Sequence, residues 1–349
     1  MSTFSIGRKA TSFVSLIAGI VLVIWGLAQA ILGTGATYRG AVLVCGVVLF
    51  FVGLYLFPTL KYHRGIINFI FLFPLLFAFL VTVIIPLVLG IGYSFTDWNG
   101  IRIKSSVGLA NYARMFRQPS FLWSILITFL FVIFNMILVN LVAFLLALLC
   151  TSKIKGLGFF RAAYFLPNLI GGIVLGYIWQ FIFSNVVTKI TGTYSMISDT
   201  KTAFMAIIIV YIWQYAGYIM LIYITGLNTI PGDVLEASAI DGASPTQTLF
   251  NIKIPMIAPT ITICTFLTLT SAFKQFDVNL ALTNGTGSVD FLGNYLTNGT
   301  EMLALNIYST AVINNEYAFG EAKAVLFFII LATVSIIQVR ISNKKEVEL

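Results

Sequence analysis

Long apolar runs separated by short polar stretches set the pattern of the chain. Eight runs stand out, at about 11–33, 40–58, 66–94, 121–150, 162–184, 202–227, 259–280 and 321–340. A helix that crosses the hydrocarbon core of a bilayer needs roughly 20 mostly apolar residues, so each run predicts a membrane span. The fold class expected is an all-α polytopic membrane protein of about eight transmembrane helices. The first run is long for the apolar core of a signal peptide and a second follows closely, so it reads as a retained span. Two stretches are polar enough to stand outside the membrane, residues 95–120 and 228–258.

Composition agrees with this pattern and removes alternatives. Hydrophobic residues make up 59% of 349 positions and charged residues 9%, with a mean hydropathy of +0.99. Soluble domains carry about a quarter charged residues, so this chain cannot cover itself with polar surface and needs lipid as its solvent. The three cysteines, Cys45, Cys150 and Cys264, lie in or at the ends of apolar runs, with neither disulfide nor metal-site spacing; they read as small packing residues. His63, between Lys61 and Arg64, belongs to a basic stretch at the membrane edge.

The net charge of +8 follows from topology rather than from nucleic-acid binding. With the N-terminus inside, the cytoplasmic side holds Arg8, Lys9, Lys61, Arg64, Lys153, Lys155, Arg161, Lys253, Arg340, Lys344 and Lys345. The outer side holds Arg39, Arg102, Lys104, Arg114, Arg117, Lys189, Lys201 and Lys323. The positive-inside rule then puts both termini in the cytoplasm.

Polar groups inside apolar helices are costly unless they line a cavity or bond a neighbouring helix. Tyr211, Gln214, Tyr215 and Tyr218 share one face of a helix at spacings of three, one and three, and Thr268, Ser271 and Gln275 share another, with Lys274 beside them. Trp179 and Gln180 add a polar-aromatic pair. Lys274 and Asp277 are three apart and within reach of pairing. Asn135 and Asn140 read as bonds between helices. A membrane enzyme would need clustered acids, histidines or metal ligands, which the chain does not offer. A secondary transporter would carry ion-coupling acids in its spans, and here Asp277 near a helix end is the main candidate.

The inner loop 228–258 is the most informative segment. Asp233 followed by Glu236 has the form of a helix N-cap with an acidic third position. Gly242 suits the left-handed turn that stops a helix. Ser244, Pro245 and Gln247 then form a second start, with a capping box and proline at the first position. Pro255 and Pro259 lead the chain back to the membrane. Ala237, Ser238, Ala239, Gly242 and Ala243 keep the backbone near the surface, where another protein can pack, and Glu236 and Asp241 offer charge to a basic partner.

The series Glu236-Ala237-Ser238, three residues, Gly242, nine residues, Ile252-Lys253-Ile254-Pro255 resembles the EAA motif of binding-protein-dependent ABC permeases. Ser238 replaces the second alanine of that motif and Ile254 its leucine. Further stretches resemble the sugar-type, maltose-like branch: Phe69 to Trp98 with Pro74 and Pro86 and the ending Tyr93-Ser94-Phe95-Thr96-Asp97-Trp98, then Gly108-Leu109-Ala110-Asn111-Tyr112, Gly158-Phe159-Phe160-Arg161, Phe165-Leu166-Pro167, Phe276-Asp277 and Leu282-Thr283-Asn284-Gly285. The likeness covers about residues 66–342. It implies a six-helix permease core (63–342), to which this chain adds an N-terminal hairpin (1–62) and a short cytoplasmic tail (343–349). The large outer domain of some maltose permeases has no room in 95–120.

From the resemblance, loop 228–258 is a coupling helix for a nucleotide-binding subunit, with Glu236, Ala237, Ser238, Asp241 and Gly242 at the contact. It implies a second homologous permease, two ATP-binding subunits, an extracytoplasmic solute-binding protein and a bacterial plasma-membrane location. The chain has no Gly-x4-Gly-Lys-Ser/Thr phosphate loop, so ATP and magnesium fall to the partner subunits; no cofactor and no catalytic role are expected here. The branch places substrate contacts on the helices matching 202–227 and 259–280. There the hydroxyl, amide and aromatic groups suit a neutral sugar, while a substrate-facing Lys274 would favour an acidic one.

Overall fold

The computed structural model describes residues 6–31, 38–57, 63–152, 156–192 and 194–343. It divides into two compact units, residues up to Leu89 and residues from Gly90 onward. Among the described residues, six helices are long and apolar enough to cross a membrane, and a seventh span arises from the bent pair Pro245–Met256 and Ala258–Phe273. With the shorter Arg39–Tyr55 helix, each of the eight apolar runs overlaps a helix, six of them along most of their length.

In the first unit the helices Ile6–Ile31 and Arg39–Tyr55 form a hairpin packed through glycine. A Cβ at Gly19 would stand 2.5 Å from the Phe50 nitrogen, one at Gly46 2.9 Å from the Val23 nitrogen and one at Gly53 2.7 Å from the Leu16 nitrogen. Small residues let backbones approach where lipid supplies no hydrophobic drive. The Ser12 hydroxyl donates to the Gly53 carbonyl at 2.9 Å. The helix that begins at His63 passes through a π-turn at Leu80–Ile84 before Ile85–Ser94. Pro86 explains the turn: its ring has no N–H and would collide with the carbonyl four residues back, at Thr82, inside the widened turn.

In the second unit the helices Pro119–Cys150, Thr200–Asn228 and Ala258–Phe273 surround one core that includes Phe131, Val139, Ala143, Ala147, Ile207, Tyr211 and Met220. Close approach again depends on glycine. A Cβ at Gly217 would run into the Tyr164 carbonyl, and one at Gly176 would stand 2.5 Å from the Ala281 Cβ. The Arg161 guanidinium donates to the Cys150 carbonyl and so closes the end of the Pro119–Cys150 helix.

Two expected spans have different bounds. The run 162–184 is not one helix: Leu157–Phe165 ends in a 3-10 turn, Leu166–Leu169, and the span itself is Gly172–Thr191. Pro167 and the Gly171-Gly172 pair cause this break. The run 259–280 stops at Phe273, and a second short helix, Asp277–Thr283, follows after a break at Lys274–Phe276. No proline or glycine marks that break. It is imposed by packing of Asp277–Thr283 on the Gly172–Phe181 helix, where a Cβ at Gly172 would stand 2.6 Å from the Asp277 Cβ.

Beyond Thr283 the chain builds a region that the apolar runs did not announce. An antiparallel hairpin pairs Val289–Phe291 with Asn294–Leu296. A short helix, Leu303–Tyr308, continues through a π-turn at Ser309–Ile313 and reverses into Tyr317–Asn343. Lys323, expected on the outer surface, is buried. Its ammonium donates to Asn306 Oδ1 at 2.9 Å and Thr310 Oγ1 at 2.8 Å and lies 4.6 Å from the Phe319 ring centre. Asn306 and Asn298 in turn donate to the buried Glu301 carboxylate. Glu321, in the first turns of the same helix and against Gly90, is a second acid within an apolar span.

Segment 95–118 folds back on itself. Asp97 Oδ1 accepts from the backbone of Lys104 at 2.8 Å and of Ser105 at 2.7 Å, and Oδ2 accepts from the Ser105 hydroxyl at 2.9 Å. Trp98 stacks on Tyr93 with centroids 4.3 Å apart. These bonds, that from the Ser105 backbone first, hold the Asp97 carboxyl below its usual range. The stabilisation is therefore complete above the ordinary aspartate value of about 4 and is lost as pH falls through the lowered one.

Two outcomes follow from this packing. The protection factors of the Lys104 and Ser105 amides, measured against their intrinsic exchange rates, hold from neutral pH down to about 4 and fall at lower pH, and Asp97→Asn shows the reduced protection already at pH 7. Gly217→Ala, with no room for its methyl against backbone, destabilises the fold by about 2 kcal/mol or more, read as a lower thermal midpoint in detergent.

Candidate functional site

The loop after the Thr200–Asn228 helix stands free of the core. Pro231 precedes a helix, Gly232–Ile240, whose first turn carries Asp233 without a side-chain capping bond. The expected Asp233 cap does not form, because the helix begins at Gly232 and already contains Asp233. Ile230 and Ile257, both nearly fully buried, anchor the two ends. Glu236, Ala237, Asp241 and Gly242 are exposed, and Ser238 is turned inward with its hydroxyl donating to the Leu235 carbonyl at 2.8 Å. Gly242 takes φ +76° and makes the turn. Ser244 then caps the next helix in both directions: its hydroxyl accepts from the Gln247 N–H at 3.3 Å, and its own N–H donates to Gln247 Oε1 at 2.8 Å.

Sequence reasoning missed two residues of this surface. Ile240 is 85% exposed and Phe250 63% exposed, one on each side of the Gly242 turn. Large exposed apolar side chains beside small residues and a free carboxylate form a patch of the kind that marks protein or membrane contact. Their sequence signal was their position, apolar residues at the tip of an otherwise polar loop. The loop joins the membrane through a 72° bend between Pro245–Met256 and Ala258–Phe273.

The second candidate region lies within the apolar span Thr200–Asn228, where Tyr211 and Tyr215 stack with centroids 4.3 Å apart. The Tyr211 hydroxyl is buried near Ser271 but outside hydrogen-bond geometry, and it has no partner. Gln214 donates weakly to the Ile170 carbonyl at 3.4 Å, and its Oε1 is buried without a partner. The break at Lys274–Phe276 brings in Gln275, buried with its Nε2 unpaired, and leaves Lys274 and Asp277 exposed. Asp277 lies near Tyr215. Ser271 and Tyr218 are half-buried. Buried polar atoms without partners are costly; Gln275 lies in the Lys274–Phe276 interruption, and Gln214 reaches the other break, at Ile170.

Other expected members go elsewhere. Thr268 is buried, donating to the Cys264 carbonyl at 2.8 Å and accepting from Asn140 Nδ2 at 3.3 Å; Asn140 Oδ1 accepts from the Tyr223 hydroxyl at 2.9 Å. This node ties three helices together, so Thr268 serves packing rather than an open path. Asn140 bridges helices as expected. Asn135 does not, since it donates to Phe131 of its own helix. Trp179 packs on Trp213 at 5.5 Å and Phe183 at 5.1 Å. Trp213 lies two residues, or roughly 200°, from both Tyr211 and Tyr215 on the helix, so Trp179 belongs to the opposite side. Gln180 donates to the Leu282 carbonyl at 3.3 Å. Lys274 and Asp277 do not pair: among the described residues the ion pair within 4.0 Å is Arg114–Glu316, at 2.8 Å. No group of three or more potential metal ligands occurs among the described residues.

Long apolar helices, an exposed loop of small residues and a polar break inside the bundle define a multi-pass membrane transport component. Residues 119–346 match the family described as binding-protein-dependent transport system inner membrane component, and the chain belongs to this family of ABC transporter permeases. It is 42% identical over 82% of its length, and 98% of the relative's, to a probable starch degradation products transport system permease protein, AmyD, of Thermoanaerobacterium thermosulfurigenes. It is 30% identical to the multiple sugar-binding transport system permease protein MsmF of Streptococcus mutans, over 75% of this chain and 90% of that one. Its fold resembles that of a chain in a bacterial ABC transporter for import of the acidic polysaccharide alginate, with a TM-score of 0.69 and 17% identity over 81% of this chain and 97% of that chain.

The two kinds of polar residue should respond differently to removal. Tyr211→Phe deletes a hydroxyl that has no partner and leaves thermal stability equal or higher. Asn140→Leu strands the Tyr223 hydroxyl and costs about 2 kcal/mol, measured as a lower thermal midpoint.

Proposed function

We propose that the chain is one of two permease subunits of a bacterial plasma-membrane importer for a neutral sugar or short oligosaccharide. Both termini face the cytoplasm in this reading. Two separate subunits bind magnesium and ATP, and a solute-binding protein delivers the substrate outside. The names of the relatives in starch-product and multiple-sugar transport support the substrate class. The observation that carries the coupling role is the exposed Gly232–Ile240 helix with its turn at Gly242, presenting Glu236, Ile240 and Phe250 to the same solvent.

In this mechanism the ATPase grips the loop through apolar contact at Ile240 and Phe250 and through the charge of Glu236. Closure of the ATPase pair pushes the loop. The rigid capping box at Ser244 carries that push to the bend before Ala258, and so to the helix that ends at Phe273. The interruption at Lys274–Phe276 and the unpaired Tyr211, Gln214 and Gln275 groups then exchange partners with the sugar as it passes. A sugar offers hydroxyls to these polar atoms and a flat C–H face to the Tyr211–Tyr215 pair. Lys274 and Asp277, open at the break and opposite in charge, favour a neutral ligand over an acidic one.

The test is ATPase activity of the complete complex in lipid, stimulated by a sugar-loaded binding protein. Glu236→Ala and Ile240→Asp each lower stimulated activity at least tenfold while the complex stays folded. Tyr215→Ala weakens sugar uptake without loss of ATPase association. Normal stimulation with both loop variants would remove the docking role, and uptake of an acidic sugar in preference to a neutral one would reverse the substrate assignment.

A further inference from the structure

Glu321 stands one turn inside the last span, Tyr317–Ser342, and is half-buried. Its carboxylate lies over Gly90, where a Cβ would stand 2.6 Å from Glu321 Oε2 and 3.9 Å from Oε1. Among the described residues it makes no hydrogen bond and no ion pair, and both of its oxygens reach the protein surface. The nearest cations are engaged elsewhere. Lys323, roughly 200° round the same helix, donates to Asn306 and Thr310, and Arg114 pairs with Glu316. An ionisable side chain in an apolar span is costly, and one that the protein leaves unpaired marks a site.

Three aromatic rings meet one turn above it, at the membrane boundary where Ser94 closes one helix and Tyr317 opens another. Trp98 stacks on Tyr93 with centroids 4.3 Å apart and lies 5.6 Å from the Tyr317 ring. The backbone fixes this group. The Ala318 N–H donates to the Trp98 carbonyl at 3.1 Å, and Gly100, at φ +93°, makes room for Tyr317, whose Cε2 would lie 2.9 Å from a Cβ there. Tyr317 and Glu321 are four residues apart on one helix, and Gly90 and Tyr93 three apart on the other. Carboxylate and rings therefore share the facing sides of two helices, about one turn apart. The surroundings are apolar: Ile91 is exposed, and so is Phe328, seven residues after Glu321 on the same helix face.

We propose that Glu321, with the rings of Tyr93, Trp98 and Tyr317, binds the primary ammonium of an aminophospholipid headgroup. An ammonium brings a positive charge and three N–H donors. The carboxylate accepts those donors, and aromatic faces attract the charge. Aromatic belts sit at headgroup level, so the bilayer itself presents this ligand at the right depth. A choline headgroup carries the same charge but no N–H, and leaves the carboxylate unbonded. Other carboxylates at this end are in use or in water. Asp97 accepts from Lys104 and Ser105, Glu316 from Arg114, and Glu301 from Asn298 and Asn306; Asp199 and Asp290 are exposed on loops outside the spans. The site requires only that the chain spans a membrane, whatever solute it carries.

The experiment places the full chain, with the subunits that purify with it, in nanodiscs of equal phosphatidylethanolamine and phosphatidylcholine. Native mass spectrometry then counts the lipids retained by wild type, Glu321→Gln and Tyr317→Leu. The expected result is that wild type retains phosphatidylethanolamine over phosphatidylcholine at least threefold. Glu321→Gln keeps the shape without the charge and abolishes that preference; Tyr317→Leu, which leaves the carboxylate, lowers it in part. In phosphatidylcholine alone the thermal midpoint of Glu321→Gln equals or exceeds that of wild type, because a bare charge has been removed. A smaller wild-type preference overturns the site, as does a Glu321→Gln variant that keeps it. Zero-length carbodiimide coupling of Glu321 to a lysine of another protein subunit, instead of to phosphatidylethanolamine, overturns it too. Sugar-stimulated ATPase tests the importer reading separately, and none of these outcomes alters that reading.

Discussion

Helices in a bilayer gain little from hiding apolar side chains from lipid that is equally apolar, so what holds this protein together is the close approach of backbones at small residues. Gly217 against the Tyr164 carbonyl, Gly176 against Ala281, Gly226 against Thr260 and Gly172 against Asp277 are among the places where that approach is tightest in the second unit. Each removes a side chain from one helix so that another can pass within contact distance. The rest of the second unit is arranged around these crossings. Where Asp277–Thr283 is drawn against Gly172 and Gly176, the helix before it must stop at Phe273. The polar break that makes the centre of the bundle chemically interesting is thus a consequence of packing elsewhere.

Polar groups divide into two populations on this scaffold. One is satisfied: Asn140 with Tyr223 and Thr268, and Lys323 with Asn306 and Thr310. Such nodes fix helix against helix. The other is left open: the Tyr211 hydroxyl, Gln214 Oε1 and Gln275 Nε2 have no partner inside the protein. Buried polar atoms left bare carry a cost that the paired Lys323 does not, and Asn135 Oδ1 on the neighbouring helix is bare in the same way. The two aqueous ends show the same division in apolar form. Ile240 and Phe250 at one end, and Leu292 and Tyr295 at the other, are large side chains that the fold supports but does not cover.

Much of this was written in the linear pattern. Six of the eight apolar runs correspond to helices along most of their length, because lipid demands a long uncharged segment and tolerates few alternatives; 162–184 and 259–280 are broken. The Ser244 capping box and the Gly242 turn were equally legible, since both are local: a hydroxyl, an amide three residues on and a residue without a Cβ suffice to specify them. The stacked pair Tyr211 and Tyr215 and the unpaired Gln214 and Gln275 lie among residues that helical spacing had already singled out. Local rules also misled where a stronger one competed. Asp233 looked like a cap, yet the helix starts two residues earlier, with Pro231 at the N-cap position.

What sequence alone determined was the number and course of the spans, the position of the exposed loop and the identity of the polar residues within the membrane. Only tertiary structure decided which of those residues share a space. Trp179 and Thr268 carry the right chemistry, but Trp179 turns to Trp213 and Thr268 to Asn140. The break at Lys274–Phe276, the burial of Lys323 and the hairpin at 289–296 were likewise settled by contacts between segments far apart in the chain. The physical reason is one of range. A span or a cap is specified by neighbours within a few residues, whereas a break without proline or glycine, or a buried lysine, exists only because a distant helix comes to meet it.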